Sequence, residues 1–181
     1  AQAAGAIVVN RLTPPKYPAT LQTIRIFFAQ FQGLPSPAGA QITLIVFSDP
    51  TGSGRPPNNP QRSVNQTVPI PNIPTPAGGF VDFAIQNGPT INSGDFYVGF
   101  RSPTPPGGVV FVADSNGPQQ ERAFLSDDNG NTFGQLVFRD QQGRETQVNI
   151  MIRAVVSIQA AVAPDIDVQP TSLDFGSVNV G

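Results

Sequence analysis

The chain has 181 residues, with 10 Lys and Arg against 12 Asp and Glu, and neither His nor Cys. That length supports one well-cored domain with a short additional segment. Without His and Cys there is no Ser-His-Asp or Cys-His catalysis, no disulfide framework and none of the commonest zinc ligands. The basic residues are scattered from Arg11 to Arg153 and form no stripe to pair with phosphates, which argues against nucleic-acid binding. No apolar run approaches the roughly 20 residues of a membrane helix, so membrane insertion is not expected. With 20 Pro, 18 Gly and 13 Phe between β-branched runs, the composition is that of a turn-rich all-β domain. Disorder is the competing reading, and the recurring Phe, Ile and Val oppose it by offering enough surface to offset chain entropy.

Ala1-Gln2-Ala3-Ala4-Gly5-Ala6 has the small residues that surround a signal-peptide cleavage site, and export is expected from it. Ala6–Leu12 reads as a first strand, stopped by Pro14-Pro15. Tyr17–Thr20 is a turn or corner leading into Leu21–Gln32. There, Leu21, Ile24, Phe28 and Phe31 fit a helical stripe, whereas Ile24, Ile26 and Phe28 fit alternation. The β-branched Thr23, Ile24 and Ile26, with Pro18 and Gly33-Leu34-Pro35 at the two ends, favour a strand. Gln41–Phe47 is nearly continuous apolar sequence and predicts a buried strand. Ser48–Pro60 is a loop of turn formers, followed by a short strand at Arg62–Thr67. The Pro-rich run Val68–Pro76 cannot donate to a ladder, which places it at a sheet edge or over the surface as polyproline II.

Gly79–Ile85 is the next strand, ending at the Asn87-Gly88 turn. The segment from Ser93 to Arg101 predicts a central strand, with Phe96, Val98 and Phe100 on one face and Tyr97, Gly99 and Arg101 on the other. Val109–Ala113 follows. Arg122–Ser126 leads to the hairpin signal Asn129-Gly130, Phe133–Arg139 returns, and Gln141-Gln142-Gly143 turns the chain into Thr146–Val156. This last strand carries Ile150, Ile152, Ala154 and Val156 on one face and is expected beside the central strand. About nine or ten short strands with turns between them predict a mostly antiparallel β-sandwich, Ig-like or jelly-roll-like, plus a C-terminal strand segment. The sandwich domain is expected over residues 1–157, a linker over 158–163 and an incomplete module or strand-donor tail over 164–181.

Pro164–Gly181 closely resembles the opening of an Ig-like choice-of-anchor D domain, related to the abnormal-spindle and hydin type of repeat. Ile166, Val168, Pro170, Leu173, Asp174, Phe175, Gly176, Val178 and Gly181 carry the resemblance. It covers a tenth of the chain, implies an early strand of that module and brings no catalytic residue with it. Residues 6–156 resemble β-sandwich modules appended to large secreted bacterial proteins, some extracellular proteases among them. The segments concerned are Leu12–Phe28, Gly94–Phe100, Ser126–Phe133 and Asn149–Val156, with Phe at 133 where a Trp is expected. This second resemblance implies an accessory, non-catalytic role.

Lys16 is the only lysine, and it sits beside Pro15, so a Ser-Lys pair would rest on one residue. Asp82, Asp95, Asp114, Glu121 and Glu145 read as strand-end and turn residues without a nucleophile–base grouping, and no enzyme is expected. Asp127, Asn129 and Asn131 place oxygens at alternate positions, as calcium loops do. Thr132 and Phe138 stand where an EF-hand has Gly and Glu, so a tight hairpin is favoured over Ca²⁺, and no other cofactor is expected. Stacking on carbohydrate is poorly served by two Tyr and no Trp, and Phe27, Phe31 and Phe111 are expected in core or interlayer packing rather than in an exposed patch. Asn65-Gln66-Thr67 is a glycosylation sequon, relevant only in a host that glycosylates exported protein.

Together these features predict a non-enzymatic structural or interaction module of a secreted or cell-surface bacterial protein. Its expected partners are neighbouring domains or copies of the same protein. A polysaccharide- or surface-ligand-binding module is the alternative. In the tail, Ile166, Val168, Leu173, Phe175, Val178 and Val180 are apolar, and two short strands make no core alone. They are expected to dock on a sheet edge in cis or to pair with a neighbouring molecule, which would build a filament.

Overall fold

Short apolar runs clipped by Gly and Pro give fourteen strand segments, and no helix, among the residues that the computed structural model describes, which are 5–49, 51–73, 78–103, 109, 111–114 and 121–158. In chain order they begin with β1 (Ile7–Leu12), β2 (Ala19–Phe28), β3 (Gln41–Ser48), β4 (Val64–Pro69) and β5 (Gly79–Ala84). Next come β6 (Thr90–Ile91), β7 (Phe96–Arg101), β8 (Ala113–Asp114), β9 (Ala123–Ser126) and β10 (Gly134–Gln135). The last four are β11 (Val137–Arg139), β12 (Glu145–Gln147), β13 (Asn149–Ile150) and β14 (Ile152–Ile158). Six strands form one antiparallel sheet in the order β10-β9-β1-β7-β3-β4. A second sheet runs β14-β2-β5, with β6 also paired to β2, and β11-β12 and β13-β8 are two-stranded ribbons. The architecture is an all-β sandwich.

Its main core lies between the sheets. Val8, Leu44, Val46, Phe96, Val98 and Phe100 face Leu21, Ile24, Ile26, Phe28, Val81 and Phe83. Strand β7 sits between β1 and β3, as its alternation predicts. The Pro-bearing β4 is an edge strand and ends at Pro69, where a missing N–H does no harm to the sheet.

Two sequence ambiguities have a geometric cause. Pairing along β2 and β14 jumps from Thr23–Val155 to Leu21–Val156, which leaves Gln22 as an extra, exposed residue. This bulge moves Leu21 onto the same buried face as Ile24, Ile26 and Phe28, so a spacing of three interrupts a strand of period two. The strand expected over 146–156 is likewise broken. Met151 N donates to Val112 O at 2.9 Å while Met151 O accepts from Phe27 N at 3.0 Å, so the chain leaves β8 and joins β2 at this residue. Consequently β14 pairs with β2 in the second sheet, and it meets β7 across the core rather than as a paired strand beside it. Of the strand expected over 109–113, Ala113 lies in β8, and residue 110 is outside the described residues. β14 runs through Ile158, past the expected domain boundary at 157. Residues 1–4, 159–163 and the tail 164–181, with Ile166, Val168, Leu173, Phe175, Val178 and Val180, lie outside the described residues.

The outer face of the six-stranded sheet is also buried. Ile7, Val9, Ile45, Phe47, Tyr97 and Phe124 form a second cluster there, with Phe133 against it. Phe47 stacks on Tyr97 at 4.9 Å between ring centroids, and Phe124 meets Tyr97 edge-on at 5.9 Å. Gly99 shares this face, paired with Val9 and Ile45. A Cβ at Gly99 would overlap the Val8 carbonyl oxygen and lie 2.7 Å from Val9 Cα, both of them backbone atoms that cannot turn aside. Gly99→Ala is therefore expected to destabilise the domain by about 1–3 kcal/mol. Gly134→Ala, with no atom within 4 Å of the added methyl, should change stability by less than about 0.5 kcal/mol. Urea unfolding of the two variants measures the difference.

Candidate functional site

Two loops cover the outer cluster, and each is closed by its own polar side chains. The first runs from Asp49 to Ser63. Asp49 is buried, and its carboxylate accepts from Gly54 N at 3.1 Å and Thr51 Oγ1 at 3.1 Å, with the Tyr97 hydroxyl at 3.4 Å. Burial pushes this carboxyl up, but the hydrogen bonds from Gly54, from Thr51 and from the Gly52 backbone outweigh it and hold the pKa below the ordinary value. Burial first, and then the neighbouring Asp49 charge, push the Tyr97 phenol well above its usual range, so it stays a neutral donor.

The second loop spans 127–133 between β9 and β10, with Asn129 and Gly130 at positive φ, as the hairpin signal predicts. Its organiser is Asp128, which sequence reasoning passed over. Asp128 Oδ1 accepts from Ser126 Oγ at 2.7 Å and Thr132 N at 3.0 Å, and Oδ2 accepts from Thr132 Oγ1 at 2.7 Å. Hydrogen bonds from Thr132, then Ser126, lower its pKa to about 2. Of the three candidate calcium ligands, Asn131 turns its amide to Asp128 O at 2.6 Å, and the Asn129 carbonyl accepts from Arg62 Nη2 at 2.8 Å. The side chains of Asp127, Asn129 and Asn131 are all exposed. Among the described residues no three His, Cys, Asp or Glu side chains gather as a metal cluster. The Arg62 bond and another from Asn59 N to Gly130 O at 3.2 Å lock the two loops together over the sheet.

The carboxylates weighed for catalysis are dispersed. Asp82 takes a two-pronged hydrogen bond from Arg25 at 2.6 and 2.7 Å on the outer face of the smaller sheet. Asp95 accepts from Thr13 at 2.6 Å and has Arg11 Nε at 3.5 Å. Glu121 accepts from Gln147 at 2.7 Å, Glu145 pairs with Arg139 across the β11–β12 hairpin, and Asp114 ends β8. Lys16 is exposed. The three aromatic candidates also separate: Phe111 packs on the main core, Phe27 meets Phe80 edge-on at 5.3 Å, and Phe31 is exposed beside Leu34. Asn65 of the sequon is exposed on the edge strand β4.

A cavity of about 380 Å³ opens beside the first loop, lined by Arg11, Ser53, Gly54, Arg55, Glu121, Phe124 and Gln135. These residues come from β1, the 49–63 loop, β9, β10 and the approach to β9, so no local pattern announces them. The parity of β1 is the one signal available: Arg11 shares its face with Ile7 and Val9. No family model matches the chain, and neither a curated protein nor a solved structure matches it.

Asp128 yields a pH prediction. Its folded pKa lies below the ordinary value of 3.8, so its stabilisation is complete above about pH 4 and is lost as pH falls toward 2. Asp128→Asn should lower stability at pH 7 and flatten the acid limb between those values, as read by thermal melts across pH. For Ca²⁺, the same melts at neutral pH should show no rise with millimolar calcium and no fall with chelator. A calcium-dependent rise would instead establish an ion at Asp127, Asn129 and Asn131.

Proposed function

We propose that this chain is a non-enzymatic structural or interaction module of a secreted or cell-surface bacterial protein, whose partners are neighbouring domains or further copies of itself. The observation that carries this is the edge formed by β14. Among the described residues β14 pairs on one side only, with β2, and it displays Val155 and Ile158 at 44% and 39% exposure. An open strand edge with apolar side chains on it is a template for an added strand. β14 is described through Ile158, and after five intervening residues the sequence carries the apolar segment Pro164–Gly181. Added in trans to the edge of another copy, that segment makes a head-to-tail contact that propagates as a filament. Added in cis, it closes the edge of its own domain.

The distribution of reactive groups supports the same view. The carboxylates that face Arg25, Arg139 and Thr13 brace strands and turns, and Asp49 and Asp128 hold covering loops in place.

The experiment compares the full chain with one ended at Ala163 by light scattering and electron microscopy. If only the full chain assembles, and Val155→Lys on β14 suppresses the assembly, the edge and the tail are connector and socket. If both chains remain monomers at high concentration, addition in trans is wrong.

A further inference from the structure

The cavity beside β1 is not used by the β14 edge, and it has the features of a ligand site. We propose that it binds a small hydroxylated carboxylate, a sugar acid, between the guanidinium groups of Arg11 and Arg55. Its volume of about 380 Å³ falls in the range of small-ligand pockets, about 300–1,000 Å³. Two planar, permanently charged groups among the lining residues match the fork of a carboxylate better than any neutral solute.

Three further observations point to a missing acceptor. Arg11 Nε and Gln135 Nε2 are both buried and have no hydrogen-bond partner among the described residues. Asp95 Oδ2 forms an ion pair with Arg11 Nε at 3.5 Å, beyond good hydrogen-bond distance, while Asp95 Oδ1 accepts from Thr13. Buried donors left this way in a native protein are rare and are ordinarily answered by water, an ion or a ligand. Finally, Gly54 holds a left-handed φ of +72°, and a Cβ there would overlap the Arg11 guanidinium. Glycine thus keeps the loop backbone against the charged head instead of filling the space with a side chain.

Glu121 decides between classes of anion. Its carboxylate lines the same cavity and accepts only from Gln147 among the hydrogen bonds described for it. It repels a compact dianion such as phosphate, yet it is a ready acceptor for a hydroxyl. A ligand with one carboxylate and several hydroxyls suits both the arginines and Glu121.

The test is a titration of the isotope-labelled full chain with glucuronate, followed by NMR amide shifts, with glucose and inorganic phosphate as comparators. Saturable shifts at Gly54 and Gln135 with glucuronate, and none with glucose, are expected. Arg55→Gln, at an exposed side chain, should weaken binding about tenfold or more while leaving shifts elsewhere unchanged. Gln135→Leu should also weaken it. Absence of saturable glucuronate binding at millimolar concentration, equal response to glucose, tighter binding of phosphate, or binding unchanged by Arg55→Gln would each overturn the proposal. None of these outcomes depends on whether the chain assembles.

Discussion

The six-stranded sheet is buried on both faces, and most of the structure follows from that. An antiparallel sheet commonly leaves one face to water. Here Tyr97, Phe47 and Phe124 stand on the outer face as fully as Phe96, Val98 and Phe100 stand on the inner one. The outer aromatics require a cover, and among the described residues no further large sheet provides it. Two loops do so, each closed by a buried or bridging carboxylate and pinned to the other through Arg62 and Asn59. Gly99 belongs to the same arrangement, because β1 and β7 approach too closely at that point for any side chain.

A second link holds the sheets to each other. Asn10 is buried on the inner face of β1, and its amide donates to Ile150 O at 2.6 Å and to Ile152 O at 3.3 Å. Those carbonyls flank Met151, where the chain passes from the β8 ribbon to the smaller sheet. A break in a strand inside a core exposes backbone acceptors that must be answered, and Asn10 answers two of them. The apolar interface is non-directional, whereas these hydrogen bonds fix how β1 sits over the break.

How much of this was legible in the sequence depended on whether the determining contacts were local. Alternation in β7, the continuous apolar run of β3 and the proline-marked edge at β4 are properties of single segments, and each is found where its pattern places it. The β2 bulge at Gln22 and the break at Met151 depend on partner strands, which a linear pattern does not contain. Tyr97 on the less apolar face of its strand gave no sign that loops distant in the sequence would bury it. For the candidate site the contrast is sharper. The alternating oxygens at 127, 129 and 131 were visible, while Asp128 between them makes the closing bonds. The cavity unites Arg11, Arg55, Glu121 and Gln135 from four separate stretches.

Because the covering loops close over the outer cluster, their hydrogen-bonded backbone should be as hard to open as the strands beneath them. Native-state hydrogen exchange tests this most directly at two amides, Gly54 N donating to Asp49 and Gly130 N donating to Ser126 at 2.8 Å. The account predicts that both exchange about as slowly as the amides of β7, through global unfolding. Exchange at the rate of an open loop, with β7 still protected, would contradict it and reduce the outer layer to a surface decoration.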